Sequence, residues 1–290
     1  MKNFLIFHAV RAALFVTARI PVRLVSPLGT LIGRGALFLA RFERKVAEKQ
    51  LDIAYQGISA PRRNTLISGL SRSLGRGVIE AARLLRPKNR LPDVRLGASS
   101  RAALDNALAV GRGVIFVTGH LGNWELMAAW LAAEGYPIHT VVRASYDHRF
   151  TRLIDAGRRR RGIGTIFRGQ KGAAAAMLRV LKNGGVLGML IDQDTDAPSI
   201  FVPFFGQQAK TPVGPAVLAD RYGAPLVVGT IHRQPAGGHR IEIERCRASG
   251  DVTSVTARLT WMLEQRIRRR PSQWVWFHRR WRSAAEGGMG

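Results

Sequence analysis

A histidine and a glutamate five residues apart form the most chemically suggestive pair in this chain. His120 and Glu125 lie in the stretch GRGVIFVTGHLGNWELMAAWLAAEG, residues 111–135. An imidazole can take a proton from a hydroxyl near neutral pH. A carboxylate on its other ring nitrogen fixes the tautomer and stabilises the imidazolium that forms. The pair therefore predicts a general base, His120, oriented by Glu125.

The surroundings of this pair limit the chemistry further. No nearby Ser or Cys is placed as a nucleophile, which favours direct attack by a substrate hydroxyl over a covalent enzyme intermediate. The alternative is a capped surface helix whose His and Glu only face solvent, and an H-x4-E spacing by itself does not decide between the two.

A strand, a sharp turn and a helix must position the two side chains. The apolar run Val114–Thr118 predicts a short buried strand. Asn123 stands where a helix N-cap belongs, and the helix is expected to run to about Ala133 and to end at Gly135. The start of this helix offers free N–H groups and positive dipole, which suit an oxyanion or a phosphate.

The same alternation continues along the chain. It predicts an α/β fold, with a mostly parallel central sheet flanked by helices and a final pair of strands that can form an antiparallel hairpin. The predicted strands are Ile138–Arg143, Gly164–Phe167, Val186–Ile191, Leu226–His232 and Arg240–Arg245. The predicted helices are 100–109, 147–160, 171–181, 212–222 and 251–270. We expect one α/β domain over residues 46–285 and a disordered tail over 286–290.

The N-terminal segment has a different character. Residues 1–42 are apolar, with six basic residues and no acidic residue. The longest uncharged run, Leu24–Gly33, is too short to span a bilayer, and Pro21 and Pro27 are expected to interrupt a single helix. Residues 1–45 are therefore predicted to form one or two helices in the membrane interface, with a soluble helical hairpin as the alternative. Residues 44–55 and 64–85 have helical spacing and lead into the sheet.

The charge of the chain points to a polyanionic partner. It holds 45 Lys and Arg against 19 Asp and Glu, a net charge of +26. Such an excess suits nucleic acid, an anionic membrane or a phosphorylated substrate. No nucleic-acid motif is recognisable in the sequence, which favours a membrane surface or lipid phosphates. Cys246 is the only cysteine, which suits a reducing cytosolic face.

Four blocks carry a resemblance to a known family. They are GHLGNWE around His120, DQD at 192–194, VPFFGQQAKTPVGPAVLADRYGAP at 202–225 and QWVWFHRRW at 273–281. The first resembles the H-x4-D/E block of the glycerolipid acyltransferase superfamily. All four, in order over about residues 100–285, resemble the bacterial lipid A (lauroyl/myristoyl) acyltransferases and their phosphatidylinositol-mannoside acyltransferase relatives.

The resemblance implies a set of substrate-binding residues. An arginine at the distance of Arg158 lies near a phosphorylated substrate in that family, and Arg143 and Arg161 are further candidates because guanidinium forks bind phosphate bidentately. The alternative for the run 158–161 is a solvated helix end. The other candidates are Asn123, Asp194, Phe205, Gly206 and Thr211.

Three of these segments have more than one interpretation. Asp192 and Asp194 end a strand and should point into the crevice of His120, where Asp194 is expected to orient substrate or an arginine; we expect no metal there. The aromatic loop 201–211 is expected to line an acyl channel or to dip into the membrane, and packing over the sheet edge is an alternative compatible with either. The Arg/Trp-rich block 273–282 suits nucleobase stacking or the headgroup belt of a membrane, and its His278 is expected to be structural.

The function that the resemblance implies is O-acyl transfer. An acyl thioester, on acyl carrier protein or coenzyme A, would donate its chain to a hydroxyl of a phosphorylated glycolipid such as a lipid A precursor, without another cofactor. The protein would act at the cytoplasmic face of a bacterial inner membrane, either peripherally or anchored through its N-terminal segment. A lysophospholipid or a mannosylated phosphoinositide is the alternative acceptor. A basic nucleic-acid-binding protein, or a lipid binder without turnover, is the alternative outside this class.

Overall fold

The computed structural model describes residues 2–86, 88–247 and 249–287. Its centre is a seven-stranded sheet. Its strands, numbered in chain order, lie side by side in the order β1 (Val94–Leu96), β9 (His239–Cys246), β8 (Leu226–Arg233), β2 (Val114–Thr118), β5 (Val186–Leu190), β3 (Ile138–Val142) and β4 (Gly164–Phe167). Every neighbouring pair in this sheet is parallel except β8 and β9, which form an antiparallel hairpin. The predicted α/β class, the mostly parallel sheet and the closing hairpin are therefore confirmed.

The elements follow one another in an alternating series. Between β5 and β8 a separate two-stranded hairpin joins β6 (Ser199–Phe204) to β7 (Gln207–Pro212). The helices are α1 (Lys2–Thr17), α2 (Val22–Leu39), α3 (Arg41–Ala54), α4 (Ala60–Leu84), α5 (Ala98–Leu108), α6 (Trp124–Ala133), α7 (His148–Arg159), α8 (Ala173–Lys182), α9 (Gly214–Tyr222), α10 (Val252–Arg269) and α11 (Arg282–Gly287), with a 3₁₀ turn at Pro271–Gln273.

The buried strands explain why the sheet lies between two layers of helices. Every residue of β2, VIFVT, is buried. Because side chains alternate along a strand, Ile115 and Val117 pack with α8, α9 and α10, whereas Phe116 packs with α5 and α6 on the other face. A strand that is apolar on both faces is stable only with helices on each side, so β2 sits in the middle of the sheet.

Two of the predicted segment boundaries fall inside helices of the structure. A short helix, α11, includes residues 286 and 287 of the segment predicted to be a disordered tail, and residues 288–290 lie outside the described residues. Helix α3 runs without interruption across the predicted boundary between residues 45 and 46.

The N-terminal segment forms two helices, and the second is longer than expected. Pro21 is the N-cap of α2, whereas Pro27 lies inside that helix without ending it. Pro27 is the sixth residue of α2, so it removes the one hydrogen bond to the carbonyl of Arg23, and the helix continues past it. Among the described helices of 18 residues or more, α2 is the one apolar enough to cross a membrane, with a mean hydropathy of 1.3. Its exposed apolar side chains include Leu31, Phe38 and Leu39.

Glycines allow α2 to lie directly against α4. A Cβ added at Gly33 would lie 1.9 Å from the carbonyl oxygen of Ser71, and one added at Gly75 would lie 2.0 Å from that of Gly29. Small residues four apart let two helix backbones approach closely, as in membrane helix pairs. The contact fixes one face of α2 and leaves its apolar face outward.

We expect Gly33→Leu to destabilise this helix contact. Overpacking costs about 1–3 kcal/mol, which corresponds to a fall in Tm of roughly 2–10 °C for a chain of this size. Gly35→Leu on the same helix is the matched control, because a Cβ added at Gly35 meets nothing within 4 Å. Thermal unfolding of the two purified variants measures the difference, and equal Tm values would contradict the packing role of Gly33.

Candidate functional site

The turn after β2 presents His120 at the carboxyl edge of the sheet. Asn123 caps α6 by accepting a hydrogen bond from the backbone N–H of Leu126 at 3.1 Å, as predicted. The backbone at Gly119 lies close to Asp192, which follows β5. A Cβ added at Gly119 would lie 2.7 Å from Asp192 Oδ2. Glycine at this position therefore lets the two strand ends approach each other.

Asp192 is the carboxylate that holds the imidazole. Its Oδ1 lies 2.8 Å from His120 Nδ1, and its Oδ2 accepts hydrogen bonds from the His120 backbone N–H at 2.5 Å and from Trp274 Nε1 at 2.7 Å. Asp192 is only 2% exposed. Burial alone would raise the pKa of Asp192, but the interactions with His120 and Trp274 outweigh burial and hold this pKa well below its usual range.

This pairing decides the roles of the two imidazole nitrogens. Because the ionised Asp192 accepts at Nδ1, the neutral ring carries its proton on Nδ1 and presents the lone pair of Nε2. His120 also lines an apolar cavity, described below. Such an arrangement can act as a general base, with the buried carboxylate stabilising the imidazolium.

Glu125 does not occupy the position that the sequence prediction assigned to it. Its two carboxylate oxygens are bonded to Arg158, at 2.5 Å from Nη2 and 3.0 Å from Nε. Glu125 is the second residue of α6, so its side chain faces α7, whereas β5 lies beside β2 and delivers Asp192 to the imidazole. The orienting role predicted for Glu125 is therefore corrected to Asp192.

Gln193 and His278 surround the other side of the imidazole. Gln193 Nε2 lies 3.2 Å from His120 Nε2 and 2.7 Å from His278 Nε2, and the two imidazole centroids are 4.9 Å apart. Burial, together with the neighbouring His120, lowers the pKa of His278 to about 4. His278 is therefore neutral at physiological pH and adds no charge beside the base.

The cavity beside His120 has a volume of about 550 Å³. Its walls are largely apolar and run beneath α6 toward the start of β3 and β5, with Met127, Leu131, Ile138 and Val186 among the lining residues. Arginine is concentrated at the polar part of the lining, which includes Arg143, Arg158 and Arg168. A long apolar space beside a base and several guanidinium groups suits an amphiphile with an acidic head.

Two of the predicted arginines thus line the cavity, and the third does not. Arg143 is exposed and Arg158 is paired with Glu125 at the cavity wall. Arg161 instead donates hydrogen bonds to the backbone carbonyls of Leu84, Arg86 and Asn89. Nε and Nη2 of Arg161 are thus bonded to the C-terminal end of α4 and to the loop after it, and Arg161 lies outside the lining of the cavity beside His120.

Asn123 and Asp194 have structural partners. The Asn123 amide donates to the buried Glu80 at 3.0 Å, and Glu80 also pairs with Arg233. Asp194 accepts hydrogen bonds from the backbone N–H and hydroxyl of Ser283. Arg282 lies 3.5 Å from Asp194, so the expectation that Asp194 holds an arginine fits the structure, but the pair fastens α11.

The aromatic loop is a hairpin, and its candidate residues lie away from the cavity. Phe205 (φ 53°) and Gly206 (φ 76°) form its turn. Phe205 is buried among Tyr55, Trp276 and Trp281, and the Thr211 hydroxyl accepts a hydrogen bond from the buried Arg280. The interpretation of these residues as an acyl lining is therefore wrong. Pro212 and the two residues after it do line the cavity.

The Arg/Trp-rich block 273–282 is hydrogen-bonded to the turn that carries His120. The backbone N–H of Val275 donates to the His120 carbonyl, and the N–H of Gly122 donates to the Gln273 carbonyl. Trp274 and Trp276 are fully buried. These tryptophans form core contacts, so neither nucleobase stacking nor a headgroup belt accounts for them. Sequence reasoning missed Trp274 as the second donor to Asp192.

Comparison with known proteins places the chain in a family. A family model described as bacterial lipid A biosynthesis acyltransferase matches residues 1–283. A lipid A biosynthesis lauroyltransferase of Escherichia coli K12 is 26% identical over 284 residues, which cover 94% of this chain and 90% of that protein. A lipid A biosynthesis palmitoleoyltransferase of the same organism is 28% identical over the same shares.

A second group of relatives matches a shorter region. A phosphatidylinositol mannoside acyltransferase of Mycobacterium tuberculosis H37Rv is 29% identical over 184 residues. This alignment covers 61% of the chain and 57% of the mycobacterial protein. The chain thus aligns with little more than half the length of that relative.

Proposed function

The chain belongs to the bacterial lipid A biosynthesis acyltransferase family, and we propose that it is an O-acyltransferase. It moves a fatty acyl chain from an acyl thioester, on acyl carrier protein or coenzyme A, to a hydroxyl of a phosphorylated glycolipid of the lipid A precursor class. The observation that carries this proposal is the His120–Asp192 pair at the head of a long apolar cavity.

In the proposed reaction His120 acts as the general base. The acceptor hydroxyl displaces Gln193 from His120 Nε2, gives its proton to that nitrogen and attacks the thioester carbonyl. Asp192 stabilises the imidazolium while the tetrahedral oxyanion exists. The carbon–sulfur bond then breaks, and the thiolate takes the proton from Nε2, which leaves an oxygen ester, a thiol and the neutral imidazole. A thioester is already activated, so positioning and deprotonation are the main tasks of the protein.

The proposed sites of the two substrates follow from the cavity lining. The apolar wall under α6 takes the transferred chain, and the guanidinium groups of Arg143, Arg158 and Arg168 take acidic groups of the acceptor. The positive charge of the chain attracts both an anionic membrane and an acidic carrier.

We place the protein at the cytoplasmic face of a bacterial inner membrane. The outward apolar side chains of α1 and α2, which include Phe15, Val16, Leu31 and Phe38, support attachment to a bilayer. The single, buried Cys246 suits a reducing compartment.

A transfer assay tests the proposal. Radiolabelled acyl carrier protein thioester and acyl-coenzyme A are offered with a tetraacylated lipid A precursor, a panel of lysophospholipids and a mannosylated phosphoinositide. We expect labelled glycolipid from the wild-type protein. Labelling of a lysophospholipid or phosphoinositide instead would change the acceptor class. No labelled acceptor at all would overturn the proposal and favour lipid binding without turnover, whereas salt-sensitive binding to any nucleic acid would favour the remaining alternative.

We expect Arg158→Lys to weaken acceptor binding selectively. Lysine keeps the charge but loses the planar fork that binds both a carboxylate and a phosphate bidentately. The KM for the glycolipid should rise about 10-fold, equivalent to about 1.4 kcal/mol, with the donor KM unchanged. Arg159→Lys is the matched control, because Arg159 is the neighbouring residue and its side chain is 67% exposed. Equal acceptor KM values for the two variants would contradict the role of Arg158.

A further inference from the structure

A second apolar cavity lies behind the first. It has a volume of about 270 Å³ and is enclosed by α1, α4, α6 and α7. Each helix contributes one wall, in this order through Leu14, Ala81, Ala129 and Ile154. The reaction proposed above uses none of these residues.

A single ion pair separates the two cavities. Glu125 and Arg158 line both of them, and their carboxylate and guanidinium groups are bonded bidentately. Their side chains are 26% and 14% exposed. The second cavity therefore adjoins the first at one pair of polar groups. An acidic substrate group at this place would compete with Glu125 for Arg158.

The second cavity also reaches the protein surface. Val78 of α4 and Ile154 of α7 line it and are 54% and 41% exposed. Helix α1, which supplies Leu14, exposes the apolar side chains Phe15 and Val16. A lipid held in a bilayer against α1 would thus meet an apolar entrance beside it.

We propose that this second cavity binds an acyl chain that the acceptor glycolipid already carries. This inference rests on the proposed function. His120 lines the first cavity alone, so the chain being transferred belongs in the first. The donor chain arrives on a water-soluble carrier, whereas the acceptor keeps its own chains in the membrane. A cavity that opens beside the apolar face of α1 therefore fits the acceptor, and its acidic head group would then lie over Arg158.

A large side chain in the second cavity should weaken binding of the acceptor glycolipid and leave binding of the acyl donor unchanged. Ala81→Phe places a large side chain in it, and Ala60→Phe is the control, because Ala60 is exposed at the start of the same helix. We expect Ala81→Phe to raise the KM of the fully acylated glycolipid at least 10-fold, with the donor KM within twofold of wild type. A glycolipid of the same head group with shortened chains should lose this difference. A raised donor KM, or unchanged kinetics in a folded variant, would overturn the proposal.

A binding measurement keeps the inference testable without turnover. In a Cys246→Ser background, Ile154→Cys puts the only thiol at the entrance of the second cavity. We expect the tetraacylated lipid A precursor in detergent micelles to slow alkylation of this thiol at least fivefold, while acyl-coenzyme A leaves the rate unchanged. Protection by acyl-coenzyme A alone, or by neither lipid, would overturn the assignment. Failure of the proposed function is distinguishable, because it would show as absence of transfer by the wild-type protein.

Discussion

The variant His120→Ala is expected to lower the kcat of acyl transfer by roughly 10³–10⁴-fold, the upper part of the range for loss of a general base. The acceptor hydroxyl would lose the group proposed to take its proton while it attacks the thioester. The KM values of donor and acceptor should change little, since the apolar wall and the arginines remain in place. Steady-state kinetics with the labelled donor measure the change.

A second histidine provides the control for this experiment. His148 is exposed at the start of α7 and makes no contact with His120. His148→Ala should keep kcat within a fewfold of wild type. If His120→Ala retained more than a tenth of the wild-type kcat, the proposed base would be wrong, although the family assignment would stand.

The second large effect is expected for Asp192→Asn. The amide keeps the shape of the side chain but removes the negative charge that stabilises the imidazolium and fixes the proton on Nδ1. By analogy with the same exchange in a His–Asp pair, kcat should fall by about 10⁴-fold. Because the pKa of Asp192 is held below its usual range, the wild-type carboxylate stays ionised throughout the neutral and mildly acidic pH range.

Two carboxylates nearby serve as controls for Asp192. Asp194 lies two residues further along and is bonded to Ser283, so Asp194→Asn should leave kcat within a fewfold of wild type. Glu125→Gln frees Arg158 and should act on acceptor binding more than on kcat. A severe loss of kcat in Glu125→Gln, with a mild one in Asp192→Asn, would restore the partner predicted from the sequence.

The sequence was sufficient for the α/β class, for the mostly parallel sheet and for the turn that carries His120. The apolar run Val114–Thr118, the glycines after it and the Asn123 cap act within a few residues, so local chemistry determines them. The partner of His120 could not be obtained in this way. Asp192 reaches the imidazole because β5 pairs with β2, and this pairing depends on the order of strands in the sheet. The expectation that Asp192 points into the crevice of His120 was the one feature of the sequence from which this partner could have been proposed.

The misassigned aromatic and arginine residues have a common cause. Composition predicts which side chains favour a membrane or a phosphate, but burial decides which of them are free to do so. Trp276 and Arg280 are fully buried, and Phe205 is buried at a hairpin turn with positive φ. The packing of the hairpin β6–β7 on the block 273–282 does not follow from local spacing, because it depends on contacts between segments about 70 residues apart.

The position of His120 and Asp192 at the ends of two central strands has a consequence for how the protein moves. Each follows a strand that is hydrogen-bonded on both sides, and the register pairs Thr118 with Leu190, directly before the loops that carry them. Amide hydrogens of such strands exchange with solvent only when the whole domain opens. Under the proposed function, a movement of α1 and α7 that admits or releases a lipid chain would leave His120 and Asp192 in place.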